Sequence, residues 1–296
     1  MNKRTVLVTG GCGFVGRNLI RFLRAYTSDY IIAIDNLSSS SANEKDCEAH
    51  NIIYDDITNL INYPNLKPNI IFHLAGYARI QPSFQEPLDA IYTNTYGTSV
   101  VCELARKLKA KIIYTTTSSS KHGDYISPYT LSKRMGEEVL KMYHNCYDLP
   151  SISVRLHNVY GPGEPSTGEF ATVIAKFTRQ YRNKEPLTVV GDGSQSRDFT
   201  HVEDICHGLV LLSYNITGCQ TLDLGREQPF TIMEVVNMFH PNAQEGRDYI
   251  IVPRRINEGN HTAADMSAYK KVIADVSHLH YGGPHSLPEY ITSIVR

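Results

Sequence analysis

The sequence predicts an α/β protein: a doubly wound parallel sheet with a smaller C-terminal α/β unit. Three observations carry this prediction. Short apolar runs recur through the first half, at Val6-Leu7-Val8, Ile31-Ile32-Ala33-Ile34, Ile70-Ile71-Phe72 and Ile112-Ile113-Tyr114, as expected of strands covered on both faces. Helical patterns separate several of them, which is the signature of β–α–β crossovers. The first run leads directly into a glycine cluster, Gly10-Gly11-Cys12-Gly13-Phe14-Val15-Gly16, at the mouth of a helix.

That cluster satisfies both Gly-x-Gly-x-x-Gly, from Gly11, and Gly-x-x-Gly-x-x-Gly, from Gly10. Glycines there allow tight turning, close backbone approach and helix–strand packing. The free N–H groups of the following helix then suit a pyrophosphate, which makes the fold Rossmann-type. Helix 1 is expected from Gly13 to about Tyr26. The next strand, Tyr30–Ile34, ends at Asp35, 19 residues beyond Gly16. A carboxylate at that place can accept hydrogen bonds from both adenosine ribose hydroxyls and repels a 2′-phosphate, so NAD is favoured over NADP. Asn51–Tyr54 reads as a third strand, followed by Asp55-Asp56-Ile57, where an acid suits the adenine amino group and Ile57 the ring. Asn69–His73 is the fourth strand and leads into Leu74-Ala75-Gly76, small residues where the backbone passes close to a cofactor. His73 is read as a packed histidine. A long helix is expected from about Pro87 to Leu108, containing Asn94 and Gly97. The fifth strand, Lys111–Tyr114, ends in the hydroxyl run Thr115–Ser120. Ligands of such sheets bind over the carboxyl ends of the strands, and Gly10, Asp35, Asp56, Ala75 and Ser118 all fall at that edge.

Composition narrows the partners. Lys+Arg 29 against Asp+Glu 30 leaves a net charge of −1 over 296 residues, so no basic field attracts nucleic acid or a membrane surface. Six scattered cysteines without a Cys-x-x-Cys pair suggest free thiols in a reducing compartment, and no zinc site. No signal peptide is recognised and no apolar stretch is long enough to span a bilayer, so a cytoplasmic location is expected.

The chemistry centres on Ser127-Pro128-Tyr129-Thr130-Leu131-Ser132-Lys133. Ser127 suits an N-cap and Pro128 the first helical position. Tyr129 and Lys133, four apart, share a helix face. A lysine ammonium beside a phenol is expected to lower its pKa and make Tyr129 a general acid/base, with a Ser118 hydroxyl polarising the same substrate oxygen.

With these residues in hand, the chain resembles the extended short-chain dehydrogenase/reductase family, in its nucleotide-sugar epimerase/dehydratase branch, and most closely the UDP-glucose/UDP-galactose 4-epimerases. The carriers are the glycine cluster, Asp35-Asn36-Leu37, His73-Leu74-Ala75, Asn94-Thr95-Tyr96-Gly97-Thr98, Tyr129–Lys133, Asn158-Val159-Tyr160-Gly161-Pro162, Gly191-Asp192-Gly193 and Arg197-Asp198-Phe199. The resemblance implies catalysis by Ser118, Tyr129 and Lys133. It implies NAD held by Gly10, Gly13, Phe14, Val15, Gly16, Asp35, Asn36, Asp56, Ile57, Leu74, Ala75, Gly76 and Asn94, together with Tyr129 and Lys133. It places the sugar nucleotide against Arg79, Ser83, Ser119, Asn158, Val189, Arg197, Arg255 and Glu258. Arginine suits a diphosphate because its planar fork binds oxygens bidentately. Arg254 competes with Arg255 for that role, and Asn257 stands where the family has glycine.

The expected domains are 1–158 with about 197–215 for NAD, and about 159–196 with 216–296 for the nucleotide sugar. A helix from Gly168 to about Arg182 and a strand Leu187–Val190 are expected in the second. A homodimer through two long helices, about 87–108 and 128–146, is implied by the resemblance alone. A family 4,6-dehydratase carries Asp-Glu after the catalytic hydroxyl; here Ser119-Ser120 stand there. Neither can readily act as a base at neutral pH, which favours 4-epimerisation of a UDP-hexose or UDP-N-acetylhexosamine through a 4-keto sugar. A dehydratase or keto-sugar reductase of the same family is the alternative, and a non-enzymatic regulator a more distant one. Lys121-His122-Gly123 replaces the family's Val-Tyr-Gly, either facing the sugar or as exposed loop. Thr262 falls where a small residue admits larger sugars.

Overall fold

The computed structural model describes residues 3–39, 43–254, 257, 259–276 and 284–296. The chain runs β1 (Thr5–Thr9), α1 (Phe14–Tyr26), β2 (Tyr30–Asp35), β3 (Asn51–Tyr54), β4 (Ile70–His73), α2 (Ile80–Gln85) and α3 (Pro87–Ile91). A π-helical turn, Tyr92–Gly97, joins α3 to α4 (Thr98–Leu108), and β5 (Lys111–Thr117), α5 (Pro128–Tyr147) and β6 (Ser151–Leu156) follow. Next come β7 (Val159–Tyr160), α6 (Val173–Arg182), β8 (Leu187–Val190), β9 (Ser196–Asp198), β10 (Thr200–His201) and α7 (Val202–Leu212). The chain ends with β11 (Cys219–Leu224), β12 (Pro229–Thr231), α8 (Ile232–Phe239), β13 (Tyr249–Val252), α9 (Ser267–Val272) and α10 (Leu287–Val295).

Seven strands form one parallel sheet in the order β11-β6-β5-β4-β1-β2-β3. The period of two sends neighbouring side chains to opposite layers. Val6 and Val8 pack with Leu19, Ile20 and Leu23 of α1 and with α7, whereas Leu7 joins Val101 and Leu104 of α4 and Leu140 of α5. The strand order reverses between β1 and β4, and the crevice over that reversal is where such sheets take ligands.

Three expectations about this architecture need correction. The stretch expected as one helix from Pro87 to Leu108 is interrupted by the π-turn, at which Asn94 turns its amide onto both backbone groups of Tyr77. Gly97 in the same turn lies against Ile57, whose Cδ1 would be 2.6 Å from a Cβ there. The helix expected from Gly168 begins at Val173, because Gly168 has φ +72 and Thr172 provides the N-cap. Finally, the smaller domain does not begin at 216. β11 pairs with β6 from Cys219 to Leu224 as the edge of the large sheet, and Ala264, Met266 and Tyr269 pack into that domain's core. The smaller unit has its own core of Phe177, Leu187, Val189, Val235, Phe239 and Ile291. Among the described residues no helix is long and apolar enough to cross a membrane.

Candidate active site

A cavity of about 1160 Å³ opens over the carboxyl edge of the sheet and extends to α6 and β9 of the smaller unit. Gly10, Gly13, Phe14, Val15 and Gly16 form its floor. Gly10 has φ +69, and a Cβ on it would stand 2.8 Å from Ala75 N. A Cβ on Gly16 would stand 2.1 Å from the Gly10 carbonyl oxygen, so turn, helix and the Leu74-Ala75 backbone interlock.

Asp35 ends β2 beside this turn. It accepts the Cys12 N–H at 2.9 Å and the Leu37 N–H at 2.8 Å, which fixes its carboxylate at the cavity edge. Asn36 reaches across to Asp56 at 2.7 Å, and Asp56 also accepts the Thr58 N–H. Ile57 lies next to it, on the cavity wall. His73 is fully buried and bridges the hydroxyls of Thr9 and Thr98 at 2.8 and 3.0 Å. Burial, then the charge of Lys133, push its pKa down to about 3, so it is a neutral structural bridge.

Ser127 caps α5 by accepting the Thr130 N–H, and Pro128 occupies the first turn. Tyr129 and Lys133 therefore point from one face of the helix into the cavity. Their expected electrostatic partnership takes a different form. Lys133 donates to the Thr115 carbonyl at 3.1 Å and lies 4.9 Å above the Tyr114 ring. Burial pushes its pKa down to about 8, against the opposing influence of Glu137. Gly76 is what lets the ammonium in, since a Cβ there would be 2.8 Å from Nζ. Burial raises the Tyr129 pKa; the Thr117 hydroxyl and the Arg79 guanidinium pull it the other way. The hydroxyl that draws the phenol's pKa down is that of Thr117, next to the expected Ser118. β5 continues to Thr117, in register with Leu156, and Ser118 opens the following 3₁₀ turn on the same wall. Thr117 accepts the Ser119 N–H at 3.1 Å and so keeps its own proton to give.

Below the helix, Glu137 is a buried carboxylate. It receives Thr116 Oγ1 at 3.0 Å, Arg134 at 2.8 Å and Arg155 at 2.9 Å, which fastens α5 to β5 and β6.

Of the residues expected at the sugar end, Arg79, Ser119, Asn158 and Arg197 line the cavity, as do His122 and Thr262. Ser83 does not. It is fully buried, accepting the Tyr129 N–H at 3.1 Å and donating to the Ile80 carbonyl at 2.7 Å. Val189 is buried in the smaller core, and the Asn94 amide is consumed on Tyr77 and Ser132. Arg255 and Glu258 lie outside the described residues; Arg254 is exposed. Lys121 is turned away from the sugar end, paired with Asp223 and donating to the Ala263 carbonyl. His122 packs on Gly259, where a Cβ would meet its ring at 2.2 Å, and its buried Nε2 has no hydrogen-bond partner. Sequence reasoning left Thr117 without a role and read His122 only as facing the sugar or as exposed loop. The run of six hydroxyls hid the first, and the second carried only its departure from the family pattern.

The model of the NAD dependent epimerase/dehydratase family matches residues 6–225. The chain is 31% identical over 242 residues to the UDP-glucose 4-epimerase of Mycolicibacterium smegmatis, covering 74% of this chain and 76% of the relative. Among solved structures, the UDP-glucose 4-epimerase of Thermotoga maritima with UDP-glucose superposes with a TM-score of 0.87 at 25% identity, over 98% of this chain and 97% of that one. The UDP-N-acetylglucosamine 4-epimerase of Methanobrevibacter ruminantium, in complex with UDP-N-acetylmuramic acid, gives 0.85 at 25% identity, over 100% and 97%. The chain belongs to the NAD dependent epimerase/dehydratase family. Its residues fit that cofactor: the glycine floor leaves room that a Cβ would fill, Asp35 stands at the end of β2, and Gly76 clears the way for Lys133.

Proposed function

We propose that this member of the family interconverts the C4 epimers of a UDP-hexose or UDP-N-acetylhexosamine. The observation that carries the reading is the single cavity joining the glycine floor to Tyr129, Thr117 and Lys133, with serines and no acids at 119 and 120. When bound, NAD supplies a reversible two-electron acceptor at the sugar. Gly10, Gly13 and Gly16 cradle its pyrophosphate, Asp35 takes the adenosine ribose, and Lys133 takes the other ribose. Tyr129 takes the proton of the sugar 4-hydroxyl and returns it to the same oxygen once the 4-keto sugar has turned its other face to the cofactor, which would accept and give back the C4 hydride, while Thr117 donates to that oxygen. Arg197 holds the diphosphate, with Asn158 beside it. Without an acid after the hydroxyls, no side chain there draws a proton from the sugar ring for elimination. Thr262 is small and faces the cavity, which supports acceptance of an N-acetyl group.

The test is a panel of UDP-glucose, UDP-galactose and their N-acetylated counterparts with the purified holoenzyme. C4 interconversion without accumulating NADH is the expected result; a 4-keto-6-deoxy product, or no turnover of any of them, refutes the reading. The assignment of the hydroxyl is testable separately. Thr117→Val should lower kcat by roughly 10–100-fold, the value of a hydrogen bond to a charged partner, while Ser118→Ala stays near wild type. The reverse ranking restores Ser118.

A homodimer fits the same reading. Tyr92, Tyr96, Met135 and Met142 expose apolar surface on neighbouring faces of the α3–α4 segment and α5, beside a groove lined by Leu131 and Val139. A second copy of this helix pair would cover it, and light scattering should give twice 33.3 kDa. A mass of one chain at micromolar concentration overturns the dimer. The six free cysteines support a reducing, cytoplasmic setting.

A further inference from the structure

Asn257 and the stretch 259–264 pack against residues 121–126, the turn that follows β5. Asn257 donates to the Ile126 carbonyl at 2.8 Å, from a left-handed backbone with φ +55. Lys121 donates to the Ala263 carbonyl at 2.9 Å. Between these two ties the His122 ring rests on Gly259. A Cβ on that glycine would stand 2.5 Å from Cγ of the ring, and closer still to Cδ2 and Nε2. β9 holds the same stretch from its other side. The Ser196 N–H donates to the Asn260 carbonyl at 2.9 Å, and the Ser196 carbonyl accepts the Thr262 N–H at 3.2 Å. Gly259 is therefore fixed behind the ring. His122 and Gly259 both line the cavity, with Ser119, Tyr129 and Thr262. Burial, then the charges of Arg197 and His261, push the His122 pKa below its ordinary value, so the imidazole is neutral at pH 7. Its buried Nε2 has no partner in the protein, a penalty that a hydrogen bond from a ligand removes.

We propose that His122 is a specificity-determining residue of the sugar end: its ring, backed by Gly259, limits the bulk of the sugar, and its Nε2 hydrogen-bonds a sugar hydroxyl. The inference rests on the nucleotide-sugar reading above and adds the residue that ranks the sugars. The wall works because its backing is rigid. A side chain with solvent behind it swings aside for a larger substituent. This ring has backbone behind it, and that backbone is tied to Ile126 and Lys121 on one side and to Ser196 on the other. Thr262, in the same stretch, is held as well, since its hydroxyl accepts the Asn158 side-chain amide at 3.3 Å. Of these two neighbours on the wall, the imidazole is the larger and the one with a nitrogen to spend.

Two substitutions should move the preference in opposite directions. His122→Ala removes the ring and its nitrogen. The kcat/KM for a UDP-hexose should fall by roughly 3–10-fold, the value of one neutral hydrogen bond, while the N-acetylated counterpart loses less because it gains room. Gly259→Ala puts a methyl where the ring stands and drives the ring into the cavity, so the N-acetylated sugar should lose more than the plain one. Calorimetric titration of the holoenzyme with UDP and with each UDP sugar reads the same ranking without turnover. UDP, which carries no sugar, should bind alike to wild type and both variants. A preference that stays constant, or that moves the same way in both variants, overturns the proposal. So does a loss of UDP affinity equal to the loss for the UDP sugars, which would put His122 on the diphosphate. If the UDP sugars bind without interconverting, the epimerase reading fails, and the titration still decides the wall.

Discussion

Replacing Tyr129 with phenylalanine should lower turnover of a UDP-hexose by roughly 10²–10⁴-fold, the usual contribution of a positioned acid/base, while NAD stays bound. The substitution removes one oxygen and leaves the ring, so the packing of α5 against β5 is preserved. The cofactor floor is built from other residues, with Gly10, Gly16 and Asp35 all more than one element away. The pH profile adds a second test. Burial holds the Tyr129 pKa above its ordinary value, so wild-type kcat should rise with pH as the phenol ionises. It should then level or fall above about 8, where Lys133 loses its proton. The rising limb should vanish in Tyr129→Phe and the alkaline limb remain. A variant that keeps wild-type turnover, or that loses NAD with its activity, removes Tyr129 from the assigned role.

The parts of this chain that were legible in the sequence are those where local pattern and tertiary role coincide. β1, β2, β4 and β5 are read at once because a parallel strand covered on both faces needs a nearly unbroken apolar run, and the edge strand β3 is read from its Ile52-Ile53 pair. β11 escaped because it is an edge strand. Cys219, Gln220 and Thr221 are only partly buried or exposed, and only Leu222, Asp223 and Leu224 enter the interior. The π-turn escaped for a different reason. Its cause is the demand of the Tyr77 backbone on Asn94, 17 residues away, and no local propensity records it.

The site divides along the same line. The glycine floor, Asp35, Tyr129 and Lys133 were readable because fixed spacing on a known element places a side chain. Which hydroxyl meets the phenol depends on where β5 ends, and six consecutive hydroxyl residues leave that open until the register with β6 is known. What Lys133 touches was equally hidden. Its partner is a carbonyl 18 residues away, brought there by the return of α5 over the sheet. Ser83 shows the opposite error: a motif match identified a residue that matters, but its hydroxyl holds the Tyr129 backbone and does not face the sugar.

A graded series at the glycine floor should separate the cradle from a mere turn. Gly16→Ala places its methyl 2.1 Å from the Gly10 carbonyl oxygen and 2.8 Å from Gly11 Cα. These are backbone atoms, so relief requires α1 to move away from β1. Leu19, Ile20 and Leu23 on α1 are fully buried against the sheet and resist that movement. Overpacking of this kind costs about 1–3 kcal/mol, and the displaced helix carries its N–H groups away from the pyrophosphate position. Purified Gly16→Ala should therefore contain little NAD. Gly13→Ala meets only the Gly10 carbonyl, at 3.2 Å, which a shift of a few tenths of an ångström relieves, so it should retain most of its cofactor. Cofactor released by acid and quantified per mole of protein reads the contrast directly. Equal NAD content in the two variants would mean that the helix start is not clamped by Gly10, and the interlock of turn, helix and Ala75 would lose its role in holding the dinucleotide.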